Sequence, residues 1–517
     1  MPGRLVAEAM PDSAMRPALL LAGLVVFAFL IRCYGIGTDP VWIDEAASIA
    51  IGTLPWSVLF GEMARIEASP PGYYAIAKVV GLVAGPQGAP LRMVSAAAAT
   101  FSIVPLWIFC RDTLGNRVAW TAAVIVALHA LLFRMSQDGR TYAILFLVFC
   151  CAMLAAWRLV EAAQRRQAGL GAVVALGLCQ GAMLWLHHTA GIANLALNAF
   201  VLAVLLASRQ GGIGRGIALL AAADLLGLLV GAAPIWWALQ HALEGAFVTR
   251  WIAAPDIDEA LLIYTRGLVA PFHAPLSQAT GLLSVAAVLV GAVAVRQPGW
   301  PVRFGLLVLL GTAAVLFPLV SQSWPVMLDR TVLFMAAPLA VSIAAGLALL
   351  PRPAFLGGAV LLAALHAHGV VGYVNWPTHS ERWDQIVALL QARSGPADRI
   401  VVTDSVFAVV SLRMAAARHG GLAAPILVVA AASPLESRSA ELLDPQASVS
   451  VEGLCARLHG ARLVWVVSRP VPPIVADDPG FSTWEPVRER LRRAGGTRVE
   501  SRSVPAVLIE AWRVPGC

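Results

Sequence analysis

Apolar residues are gathered into eleven long runs, near 17–36, 91–110, 117–135, 140–160, 169–187, 190–208, 216–239, 277–296, 303–322, 331–350 and 354–374. Each approaches the roughly 20 residues that a helix needs to cross a hydrocarbon core about 30 Å thick. The pattern predicts a polytopic α-helical membrane protein with about eleven crossings. The first run lacks a small-residue cleavage site and reads as an anchor. With the N-terminus in the cytoplasm, every inner loop holds arginine, from Arg4 and Arg16 through Arg209 and Arg215 to Arg352. The acids Asp39, Asp44, Glu45, Asp138, Asp256 and Asp329 then collect outside, as the positive-inside rule requires. An odd number of crossings places the C-terminus outside. Two outer stretches, 37–90 and 240–276, are longer than a turn between spans requires, and long loops of this kind are commonly functional.

Beyond Asn375 the period changes. Trp383, Ile386, Val387 and Leu390 form a helical stripe, and Arg399–Asp404, Pro425–Ala430 and Arg462–Val467 read as strands. Helical patterns near 406–418 and 450–459 separate them. The expected division is a membrane part, 1–375, and a soluble extracytoplasmic α/β domain, 376–517, with a mostly parallel sheet. That domain has no glycine-rich phosphate loop and reads as accessory.

Composition sharpens the division. The 517 residues are 59% hydrophobic and 13% charged, with mean hydropathy +0.76. Soluble domains carry about 25% charged residues, so a cytosolic enzyme and a disordered chain are both excluded. The net charge of +7 is scattered rather than clustered, which gives no nucleic-acid signal. Of the seven cysteines, Cys455 and Cys517 fall in the exported part, where a disulfide can form.

Chemistry concentrates in the outer loops. Trp42-Ile-Asp44-Glu45 sets two adjacent carboxylates at a membrane boundary, where desolvation and mutual repulsion raise a pKa and suit a general base. The plainer alternative is that both cap an interfacial helix. Farther along, Pro70-Pro71 forbids helix until Tyr73 and Tyr74 begin a new run at the headgroup level. Lys78, the sole lysine, is set either to snorkel to the interface or to meet a phosphate. Asp138 and Arg140 form either a local ion pair or part of a converging site, and Arg330 either pairs with Asp329 or serves a ligand. His187 and His188 lie on the outer side between two spans.

In this order, Trp-x-Asp-Glu, Pro-Pro-x-Tyr-Tyr, Ser136-Gln-Asp138-Gly-Arg140-Thr-Tyr142 and Asp329-Arg330 resemble the motifs of GT-C membrane glycosyltransferases. The relevant type is that of the protein O-mannosyltransferases and the aminoarabinose transferase of lipid A. Glu381-Arg-Trp383 with Asp398-Arg-Ile-Val-Val resembles the start of the exported domain in bacterial members. Ser69 stands where many members have histidine before Pro-Pro. The resemblance implies transfer of a monosaccharide from a polyprenyl-phosphate donor to an acceptor hydroxyl on the extracytoplasmic face. The implied location is a bacterial inner membrane, and the implied acceptor is a glycan, lipid or protein. It implies catalytic roles for Asp44, Glu45 and Asp138, donor-phosphate contacts from Lys78, Arg140 and Arg330, and substrate contacts from Tyr73, Tyr74, Tyr142 and His187. Two acids on separate loops are compatible with a divalent cation and equally with none. A transporter or lipid flippase remains as an alternative class, although repeats and midplane charges are not seen. A non-catalytic scaffold is a third, which leaves the acid-rich outer loops without a purpose.

Overall fold

Each of the eleven apolar runs is helical. The computed structural model describes residues 12–517 apart from 68, 209–211, 245–248, 250, 270–276, 376–380 and 470–481. Arg4, Arg209 and the expected boundary at Trp376 lie outside the described residues. Among those described, seven helices are individually long and apolar enough to cross a membrane, including Tyr142–Gln164 and Trp300–Ser323. Other expected spans are shorter or broken. The run near 117–135 is two helices, Asn116–Ala127 and Ala130–Ser136, bent by 54°. The bend is held where the His129 imidazole accepts from the Leu132 amide at 3.3 Å, restarting the helix.

The outer stretch 37–90 is far more ordered than an interfacial loop. It contains a helix Ile43–Thr53, a second run Trp56–Ile66 folded back at 120°, and a third helix Gly72–Ala84. Pro55 enforces the first break, because the residue before proline is driven out of helical geometry, and Leu54 is extended (ψ 154°). Pro70 and Pro71 enforce the second. Gly72 is required by a close approach, since a Cβ there would lie 2.3 Å from the Trp185 carbonyl oxygen.

The C-terminal residues build a five-stranded sheet: β1 Arg399–Asp404, β2 Ile426–Ala430, β3 Val464–Ser468, β4 Thr497–Val504 and β5 Val507–Arg513. The strand order is β2-β1-β3-β5-β4. The first three are parallel, as the sequence indicates, but β5 and β4 run antiparallel as a terminal hairpin. Sequence reasoning misses this hairpin because β4 is charged and largely exposed and carries no apolar alternation. The helices Pro434–Leu443 and Trp484–Arg493 are likewise additions to the expected pattern. Cys455 and Cys517 are joined in a disulfide.

This α/β unit does not keep its core to itself. Ala46, Ile49, Ala50 and Ile51 of the outer helix lie in one apolar cluster with Trp383, Ile386, Val387 and Phe407. The Glu381 carboxylate accepts from the Ile43 amide at 3.1 Å and from Trp383 Nε1 at 2.8 Å, so it caps the outer helix from the far end of the sequence.

A buried ion pair anchors the outer loops. Arg92, on the helix Gly88–Phe101, donates from Nε to Glu45 Oε1 at 2.7 Å and from its terminal nitrogens to the carbonyls of Ile36, Asp39 and Pro40. Glu45 is fully buried, and its Oε1 also accepts from the Gly139 amide at 2.6 Å. Removing one partner of such a pair leaves an uncompensated charge and costs about 3–5 kcal/mol. Arg92→Met is therefore expected to lower the melting temperature markedly in detergent. Arg111→Met, which breaks an exposed pair with Asp112, is expected to leave it nearly unchanged.

Candidate active site

Segments of the membrane part around Asp44, Arg140, His187, Trp251 and Arg330 line a cavity of about 610 Å³ together with the α/β unit. Asp44, in the first turn of the outer helix, projects into it with Arg140 from the second loop and Arg330 from the loop before the helix Ala336–Leu347. An Arg330 terminal nitrogen stands 3.6 Å from Asp44 Oδ2, and Arg330 Nε donates to the Tyr142 hydroxyl at 3.0 Å. The guanidinium is ringed by Trp42, Tyr142 and Trp251, each centred 5.8 Å away, a cation–π arrangement that fixes its orientation. Arg140 donates to the Asp44 carbonyl at 3.1 Å and to Ser48 Oγ at 2.9 Å, which ties the second loop to the outer helix.

The local alternatives for these arginines are not what the fold uses. Asp329 pairs with Arg134 at 2.8 Å and accepts from the Arg330 backbone amide, leaving the Arg330 side chain to the cavity. Asp138 accepts from Trp42 Nε1 at 3.0 Å instead of pairing with Arg140.

Tyr74, Tyr142 and His187 also line the cavity, joined by His188. The two histidines share it because they lie in the turn between the helices Leu170–Leu186 and Ala190–Ala207, not on one helix. His187 Nδ1 accepts from the Thr189 amide at 3.2 Å, which leaves Nε2 as the protonated nitrogen. Burial lowers its pKa to about 3, so it meets a ligand as a neutral donor.

Four expected residues stand elsewhere. Glu45 is consumed by Arg92 and the Gly139 amide, so its part in the site is to position the neighbouring loop. A Cβ at Gly139 would lie 3.1 Å from Glu45 Oε1, which explains the glycine. Asp138 faces a second cavity of about 290 Å³, separated from the first by Trp42 and Arg330, which border both. Tyr73 is buried beneath the site and does not line the main cavity. Lys78 lies apart from it altogether. Its ammonium donates to the Leu54 carbonyl at 2.6 Å and sits over the Trp56 ring, closing the end of the outer helix at the Pro55 break. A short distance along a loop is no guide to which side of a folded hairpin a lysine takes.

Sequence reasoning missed three acids. Glu67, just before Pro-Pro, lines the cavity, and burial raises its pKa while Arg140 opposes the rise. Asp404 and Glu436 come from the α/β unit, which is therefore part of the cavity wall and not a mere accessory. Burial pushes Glu436 up to about 7. Their signals, an acid ending an apolar strand and an acid three residues after a Ser433 cap, are too common to single out. Among the described residues no three or more His, Cys, Asp or Glu are arranged to hold a metal ion. Asp44 and Asp138 face different cavities and do not form a shared donor set for a divalent cation.

The overall architecture matches known structures along nearly its whole length. ArnT from Cupriavidus metallidurans, crystallised bound to undecaprenyl phosphate, superposes with a TM-score of 0.58 at 14% identity, over 95% of this chain and 98% of that one. The archaeal oligosaccharyltransferase AglB from Archaeoglobus fulgidus, in complex with an inhibitory peptide and a dolichol-phosphate, gives 0.50 at 14% identity, over 87% and 69% respectively. The fold is thus that of the GT-C membrane glycosyltransferases. Within it, residues 68–237 match the family described as dolichyl-phosphate-mannose-protein mannosyltransferase. No curated protein matches the chain by sequence.

Asp138 supplies a pH test. Burial and the neighbouring Glu45 raise its pKa to about 7 from 3.8. The unfolded chain then loses this proton before the folded protein does, so the group lowers stability as pH rises from about 4 to 7. Asp138→Asn keeps an oxygen for Trp42 and is expected to lessen the fall in melting temperature across that window, measured at half-unit intervals. A remaining slope is expected from the buried Glu67 and Glu436, whose pKa values are also raised.

Proposed function

We propose that this protein transfers a hexosyl or pentosyl unit from a polyprenyl-phosphate donor to an acceptor hydroxyl at the extracytoplasmic face of a bacterial inner membrane. The observation that carries the reading is the approach of Asp44 to Arg330, 3.6 Å apart in a cavity shared with Arg140 and bordered by aromatic rings. A carboxylate and two guanidiniums at one point match the two needs of the reaction. Asp44 takes the acceptor proton as its oxygen attacks the anomeric carbon. The bond from that carbon to the donor phosphate breaks with its electron pair moving to phosphate oxygen, and Arg330 and Arg140 offset the charge that develops there.

Tyr74, Tyr142 and the neutral His187 offer hydroxyl and N–H groups to the sugar. Glu45 acts through the loop it holds. The side of the membrane is supported by the arginine-rich inner loops and by the Cys455–Cys517 disulfide, which suits an oxidising compartment. On this reading residues 1–375 carry the chemistry and 376–517 close the cavity over it. A transporter or a scaffold leaves the Asp44–Arg330 pair without a use.

Asp44→Asn is expected to abolish release of polyprenyl phosphate from purified protein supplied with polyprenyl-phosphate sugars, while undecaprenyl phosphate still binds. Undiminished turnover would refute Asp44 as the base. Arg330→Ala removes a charge-assisted phosphate contact of about 1.5–3 kcal/mol, so the Kd for undecaprenyl phosphate is expected to rise roughly 10- to 150-fold. Lys78→Met is expected to leave that Kd unchanged, because its ammonium points away from the cavity.

A further inference from the structure

The α/β unit turns a particular edge toward the cavity. From β1 the chain passes to β2 on one side, then crosses to β3 on the other side of β1. The strand order therefore reverses at β1, and in open α/β sheets the crevice beyond the carboxyl ends of the strands at such a reversal is where ligands bind. The residues that this unit contributes to the cavity lie at or just beyond those ends, among them Asp404, the last residue of β1, Ser405 after it, Ser433 and Glu436 after β2, and Arg469 after β3.

Asp404 is held there in a left-handed conformation (φ 74°), which non-glycine residues seldom adopt. Its carboxylate is fixed by the Thr483 amide at 2.6 Å and the Ser468 hydroxyl at 3.0 Å. Glu436 is fixed by Ser405 Oγ at 2.8 Å and the Val406 amide at 3.0 Å. Both side chains border open space with their oxygens locked in place, the condition for recognising donor groups without reordering. The two walls differ in what they hold out. Arg140 and Arg330 stand on the membrane side beside Asp44 and Glu67. The sheet edge presents two fixed carboxyl groups, its arginine, Arg469, being paired with Glu381, so hydroxyl groups find acceptors there.

We infer that the carboxyl edge of β1, β2 and β3 is the acceptor subsite, and that the acceptor presents a saccharide whose hydroxyls are held by Asp404 and Glu436. This rests on the reading of the cavity as a sugar-transfer site. The donor sugar offers the same hydroxyl chemistry, but it is tethered to a phosphate that the opposite wall retains.

The test uses the full-length protein in nanodiscs, with Glu436→Gln and Asp404→Asn as variants; asparagine tolerates the left-handed backbone, so at least one substitution should preserve the fold. Saturation-transfer NMR reads binding of methyl glycosides of hexoses, pentoses and amino sugars, and tryptophan fluorescence reads undecaprenyl phosphate. The expected result is saccharide binding weakened at least tenfold in a folded variant, with undecaprenyl phosphate affinity unchanged, and the reverse pattern in Arg330→Ala. Undecaprenyl phosphate bound with no saccharide, or saccharide binding equal in variants and parent, overturns the subsite and leaves the transferase reading standing. Saccharide bound without undecaprenyl phosphate supports the subsite and removes that reading. If the variants instead abolish the preference for sugar-bearing over bare polyprenyl phosphate, or if hydroxy-amino-acid peptides bind in place of saccharides, the acceptor assignment falls.

Discussion

The outer face of this protein depends on one buried ion pair. Arg92 and Glu45 lie in different segments, and each uses its remaining hydrogen-bonding capacity on a third, so that residues 36–40, the outer helix and the loop at Gly139 are fastened together. Asp44 is adjacent to Glu45, and Arg140 is adjacent to Gly139. These two cavity-lining side chains therefore inherit their separation from a neighbouring pair that does not line the main cavity. A charged pair taken out of water contributes little net stability against an apolar substitute. What it supplies here is register, because no apolar contact would specify the position of Gly139 relative to Asp44 so narrowly.

Much of the architecture was legible in the chain. The apolar runs marked the helices because a hydrocarbon solvent demands length and purity that few other sequences have, and the parallel strands β1 to β3 announced themselves as short buried runs. The convergence of Asp44, Arg140 and Arg330 followed from motif order together with the expectation that all three face one side of the membrane. The failures have a common cause. Residue type and proximity along the chain place Glu45, Lys78 and Asp138 in the site, while their positions are set by what lies opposite them in space: Arg92, the Leu54 carbonyl and Trp42. Nothing in the local sequence around Lys78 reveals that the hairpin turns its ammonium toward a helix end. Glu436 and Asp404 were invisible for the same reason, since an acid beside a helix cap is ordinary until the cavity across from it is known.

The cavity has two unlike walls. Its membrane side combines Arg140 and Arg330 with Asp44, Glu67 and aromatic rings, and its sheet side presents Asp404, Glu436 and Arg469. Trp42 and Arg330 stand at the wall between this space and the smaller one that holds Asp138, so movement of either side chain would connect them. Arg469 borders both spaces as well, and Arg330 is held in its place there among three rings.

The apolar cluster shared by the outer helix and the α/β unit also imposes an order on biogenesis. Residues 43–54 emerge early, yet the surface that covers them begins at Trp383, about 330 residues later. At about 5–20 residues per second, roughly 20–60 s separate the two. During that interval the hairpin has the helices Gly72–Ala84 and Gly88–Phe101 to pack on, while the apolar surface that Trp383, Ile386 and Phe407 later cover stays open. A truncation anywhere before Trp383 would strand the first loop in that uncovered state, however complete the helices beneath it.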